Sequence, residues 1–155
     1  MIKLKNITAG YNNVEVIKNI NIAFEEASIT TIIGKNGCGK TTLLKTAANI
    51  LKAFKGEVIL KDRNISSFSN KELAKKLSFL PQIRKVPNIT VYNLVMHGRY
   101  PYLDFLRVPQ QKDKEIVQKT IEDMALGKYI NKNIYELSGG QRQKVYIAML
   151  LAQDT

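Results

Sequence analysis

The chain has 155 residues, 45% of them hydrophobic and 24% charged, with 24 Lys plus Arg against 13 Asp plus Glu and a net charge of +11. That composition excludes a disordered or collagen-like polypeptide and suits one folded domain. The longest apolar run, residues 145–152, is far too short to span a bilayer, no secretory leader is visible, and the single cysteine, Cys38, excludes an internal disulfide, so a cytoplasmic location is expected. The basic excess could serve phosphate backbones or anionic lipid. The lysines are scattered, however, with no run longer than Lys75-Lys76, which reads as a solvated surface.

Ile2 and Leu4 alternate with Lys3 and Lys5, and Ile20, Ile22 and Phe24 alternate with Asn19, Asn21 and Ala23, the period-two pattern of half-buried strands. Gly10-Tyr11-Asn12-Asn13 supplies turn residues between them, so an antiparallel β portion opens the chain. Residues 28–33 (SITTII) are β-branched and uncharged, which predicts a strand buried on both faces, as in a parallel sheet. Leu43, Leu44, Ala47, Ala48 and Leu51 predict a helix over 41–51, and residues 57–60 a further strand. Ser69-Asn70-Lys71-Glu72 has the form of a capping box, predicting a short helix through Lys76, then a strand at 77–80 that Pro81 ends. From Thr90 to Tyr135 helical spacing dominates, through Val91, Leu94 and Val95 and then Ile116, Val117, Thr120, Ile121 and Met124, with Gly127 as a stop. The expected fold is α/β, partitioned as a core over 1–87, a helical subdomain over 88–136 and a last helix within 137–155.

Gly34-Lys35-Asn36-Gly37-Cys38-Gly39-Lys40-Thr41 matches G-x-x-x-x-G-K-[ST] between a predicted strand and a predicted helix. Glycines let the backbone bend so that successive N–H groups point inward at phosphate oxygens, and the helix beginning near Gly39 adds its positive dipole end. Lys40 can reach the β- and γ-phosphates, the Thr41 hydroxyl can ligate Mg²⁺, and Thr42 joins them in the candidate nucleotide site. Cys38 is either a small residue that fits the loop or a thiol made reactive by a helix start.

A second motif, Leu137-Ser138-Gly139-Gly140-Gln141, precedes an apolar-faced helix (Val145, Ala148, Met149, Ala152). Ser138 and the Gly139 and Gly140 amides at a helix start form a second anion site. With the phosphate loop about a hundred residues upstream, the chain resembles the ATPases of ATP-binding-cassette (ABC) transporters. The resemblance implies a RecA-like P-loop NTPase core, an ABC-type helical subdomain and a homodimer or pseudo-dimer in which Ser138, Gly139, Gly140 and Gln141 meet the ATP of the partner chain. It also implies membrane permease subunits with a substrate-binding protein as partners, and a peripheral place on the cytoplasmic face of the membrane. Tyr11 stands where the family has an aromatic residue that stacks on adenine, or it is a turn tyrosine packed on the sheet. Gln82, after Leu80-Pro81, is similar to the family glutamine that approaches Mg²⁺ and the attacking water. Residues 97–102 (HGRYPY) resemble a segment of ATPases serving importers of iron–siderophore, haem and cobalamin. His97, the only histidine, lies away from the family's switch position and is assigned no catalytic role.

After Leu137 the only carboxylate is Asp154, so the family's Asp-Glu pair, on a later apolar strand, and its switch histidine have no counterpart here. The resemblance therefore implies an N-terminal portion, lacking the last core strands, that binds ATP and hydrolyses it negligibly. Two readings follow: part of an importer ATPase, or a non-hydrolysing nucleotide-binding module that competes for the permease. A nucleic-acid-associated relative is disfavoured, because no long heptad insertion separates Gln82 from Ser138.

Overall fold

The computed structural model describes residues 1–82, 86–104, 106 and 108–155, which form two compact units, Met1–Ser69 and Asn70–Thr155. The first unit is built on strands β1 (Ile2–Tyr11), β2 (Val14–Phe24), β3 (Lys55–Leu60) and β4 (Arg63–Asn64), an antiparallel sheet in the order β2-β1-β3-β4. The opening hairpin closes where Tyr11 pairs with Val14, and Asn12 and Asn13 take φ of 49° and 62°. Both signs are positive, as a tight two-residue hairpin turn requires, and asparagine tolerates them better than any other side-chain-bearing residue. Asn6 and Asn19, also at positive φ, lie where the β1–β2 register shifts, and their N–H groups donate to Asn21 Oδ1 and Thr8 Oγ1.

Leu4, Ile7 and Ala9 of β1, Ile17 of β2, and Val58 and Leu60 of β3 are buried, as are Leu43 and Ala47 of helix α1 (Lys40–Ala47), which packs on β1 and β2. The helix is shorter than the predicted 41–51. Asn49 turns left-handed at φ 57°, and the N–H groups of Ile50 and Leu51 donate back to the Lys45 carbonyl. A left-handed asparagine ends a helix in this way, although Leu51 keeps the helical spacing.

Residues 28–33 form no strand, which corrects the sequence reading. Ile29 and Ile33 are 98% and 90% exposed. A doubly buried strand needs a hydrogen-bonded neighbour on each side, and among the described residues no strand runs beside this segment.

The second unit is helical. Its elements are α2 (Asn70–Ala74), α3 (Val91–Met96), α4 (Gln111–Asp123) and α5 (Gly139–Ala152), with 3₁₀ turns at His97–Tyr102, Gly127–Tyr129 and Ile134–Glu136. Val91 and Val95 from α3, Val117 and Ile121 from α4, and Val145, Ala148 and Ala152 from α5 meet in one core with Leu126, Ile134 and Leu137. The chain leaves α4 through Ala125 at φ 53°, ahead of the predicted stop at Gly127.

The expected strand at 77–80 is also absent. The segment is held from the end of α5 instead: Gln153 Nε2 donates to the Leu77 carbonyl and to that of Ala74 just before it, and Leu80 packs against the helical core. Residues 70–82 thus belong to the helical unit, whereas the sequence-based partition kept them with the core up to residue 87.

Candidate nucleotide-binding site

The predicted phosphate loop runs from Gly34 into α1 and is solvent-facing over most of its length. Gly37 and Gly39 take φ of 82° and 97°, a region that favours glycine. A Cβ on Gly37 would meet nothing within 4 Å, so the backbone angle alone asks for glycine there. A Cβ on Gly39 would also lie 2.6 Å from Ile17 Cγ2, so Gly39 is required twice over.

Gly39 is the residue before α1 and brings no side-chain cap, and the first helical turn carries no acid. The first N–H groups of α1 are left for another acceptor, and the dipole end adds positive potential. Lys40 folds back across the loop: its Nζ donates to the carbonyls of Gly34 and Lys35, 2.7 Å each, and lies 3.8 Å from Cys38 Sγ. Cys38 N–H in turn donates to the Lys35 carbonyl, closing the turn through Asn36 and Gly37. The arrangement is a shallow cationic cradle, the chemistry that a chain of phosphates fits. Thr41 is exposed beside it, and Thr42, the next residue of α1, is buried.

Tyr11 sits at the end of β1, 42% exposed, with Lys45 Nζ of α1 at 5.6 Å from its ring centroid. Within the first unit, then, the predicted aromatic and the helix that follows the phosphate loop are neighbours. Lys45 was not anticipated; its place one helical turn after Thr41 is the signal that points to it.

Among the described residues no cluster of three or more His, Cys, Asp or Glu side chains could hold a metal ion. A Mg²⁺ arriving with phosphates would find the Thr41 hydroxyl as the ligand this loop offers, its other ligands being phosphate oxygens and water.

In the second unit, Ser138 caps α5 with a reciprocal pair. Gln141 N–H donates to Ser138 Oγ (3.3 Å), and Ser138 N–H donates to Gln141 Oε1 (2.9 Å). Ser138, Gly139 and Gly140 are exposed, and a Cβ on either glycine would meet nothing. The loop leading in is tied down by Arg142, whose Nε and Nη2 donate to the carbonyls of Leu137 and Tyr135. Gln82 lines a concavity with Val86, Gly139, Arg142 and Tyr146, which places it beside the start of α5.

The 3₁₀ turn at His97–Tyr102 holds a buried ion pair that the sequence did not disclose. Arg99 Nε lies 3.0 Å from Asp113 Oδ1, and Arg99 Nη1 donates to the Ala152 carbonyl at the end of α5. Tyr102 lies with its ring centroid 4.0 Å from the guanidinium. His97 stacks obliquely on Tyr100 at 4.5 Å, and burial holds its imidazole below the usual histidine range.

Residues 17–155 match the ABC transporter family. The chain belongs to that family. This ABC protein is 39% identical over 155 residues to the petrobactin import ATP-binding protein FpuD of Bacillus anthracis, covering 99% of this chain and 57% of that protein. It is 40% identical over 147 residues to the iron(3+)-hydroxamate import ATP-binding protein FhuC of Bacillus subtilis, covering 94% of this chain and 55% of that protein. The ABC chain thus spans a little over half the length of these two relatives. Its fold is that of an ABC ATPase cassette: a bacterial ABC transporter cassette solved as a dimer superposes with a TM-score of 0.82 at 28% identity, over 99% of this chain and 70% of that one. No helix among the described residues is long and apolar enough to cross a membrane.

Proposed function

We propose that this ABC chain is the ATP-binding portion of an importer subunit acting on an iron chelate of the siderophore, haem or cobalamin type. The relatives named for petrobactin and hydroxamate import support the cargo class, and residues 97–102 agree with it. ATP lies with its phosphates on residues 34–42 and its adenine against Tyr11, while Thr41 serves the Mg²⁺. The nucleotide is completed by Ser138, Gly139, Gly140 and Gln141 of a second copy, and permease subunits anchor the pair at the inner face of the membrane. The observation that carries this reading is the outward-facing tip at Ser138–Gly140, capped from within and open in front.

Two measurements test it. Cys38, exposed and within the loop, is expected to be labelled by iodoacetamide about tenfold more slowly when ATP is present at about ten times its Kd; labelling indifferent to ATP counts against the cradle. Ser138→Arg is expected to leave ATP binding by the single chain intact and to block ATP-dependent dimerisation, read by sedimentation velocity. A variant that still dimerises removes Ser138 from the partner's site.

A further inference from the structure

We propose that Tyr129 is a positioning residue for the exposed tip at Ser138–Gly140, acting through the side-chain amide of Gln141. This rests on the reading of that tip as half of a shared nucleotide site. Gln141 Nε2 donates to the Tyr129 hydroxyl at 2.8 Å, while Gln141 Oε1 accepts from Ser138 N–H at 2.9 Å. An amide side chain can present either end; Ser138 N–H, a donor only, takes the oxygen, and the Tyr129 hydroxyl accepts from the NH₂ end and so anchors the amide in that pose.

Tyr129 is itself restrained. Its 3₁₀ turn follows α4, and its backbone N–H and C=O are bonded to Leu126 and Lys132. The ammonium groups of Lys128 and Lys132 lie 5.0 and 5.7 Å from its ring centroid. Ring, hydroxyl, amide and Ser138 backbone therefore form one continuous chain of contacts that ends at the tip. Without the hydroxyl, the NH₂ end of the amide has lost its anchor, and the side chain is free to rotate away from Ser138 N–H. The Ser138 peptide then loses its acceptor, and the tip loses its fixed direction.

Tyr129→Phe, Gln141→Ala and the double variant test this. Losing one hydrogen bond of ordinary net strength speeds hydrogen exchange at Ser138 N–H by about fivefold in Tyr129→Phe. Exchange at Val145 N–H, deeper in α5, accelerates less than at Ser138 N–H, and the thermal midpoint falls by no more than about a few degrees. The double variant exchanges no faster than Gln141→Ala, because the two residues act in series. ATP affinity of the single chain is unaltered, while ATP-dependent dimerisation needs about fivefold more protein. Unchanged exchange at Ser138, additive single effects, or equal acceleration along all of α5 would overturn the proposal. If instead exchange responds as expected while Ser138→Arg still dimerises, the positioning stands and the shared-site reading fails.

Discussion

Lys40→Ala is expected to abolish ATP binding, with affinity measured by calorimetry falling by about 100-fold or more. Lys40 Nζ is held at the middle of the loop by two carbonyls at 2.7 Å, and no acidic side chain of the first helical turn competes for it. Charge-assisted hydrogen bonds contribute about 1.5–3 kcal/mol each, so losing a cation that meets two phosphates costs about 3 kcal/mol or more. The partners that Lys40 leaves behind are solvent-facing carbonyls, so the variant keeps its circular dichroism and thermal midpoint. Wild-type affinity in Lys40→Ala would remove the phosphate-loop assignment altogether.

Asp113→Ala is expected to be the most damaging single change to the helical unit, lowering its stability to urea by about 3–5 kcal/mol. Arg99 and Asp113 are 3% and 6% exposed. The carboxylate meets Arg99 Nε through Oδ1 and accepts Gln110 N–H through Oδ2, so it binds the guanidinium and caps α4 at once. Removing it leaves a cation buried against one carbonyl and an aromatic ring. A loss below about 1 kcal/mol would place the pair among ion pairs that contribute little. The double replacement Arg99→Met with Asp113→Leu should recover much of the loss, since it removes the stranded charge together with its partner.

The residues whose chemistry is local were legible in the sequence. The Asn12-Asn13 hairpin, the glycines of the phosphate loop and the Ser138 cap each depend on side chains within a few positions, and each stands where the spacing put it. What was illegible depended on distant neighbours. Residues 28–33 have a strand's composition, yet strand formation is a property of a pair of segments, and none pairs with them among the described residues. The same holds at 77–80, where Gln153 takes the Leu77 carbonyl that a ladder would have used. Asp113 reads as an ordinary first-turn acid of α4; only the folded chain brings Arg99 to it. Tyr129 carries no sequence signal, because its meaning lies in a hydroxyl reaching a glutamine twelve positions away.

Helix α5 is fastened at both extremities, by Ser138 and Gln141 at its start and by the Arg99 guanidinium at its closing carbonyl. Fourteen residues make a strut of about 21 Å. Such a member does not absorb a push; it relays it. A nudge delivered near Arg99 would swing the serine–glycine end, so in the proposed dimer substitutions far from any phosphate retune how firmly two copies clasp.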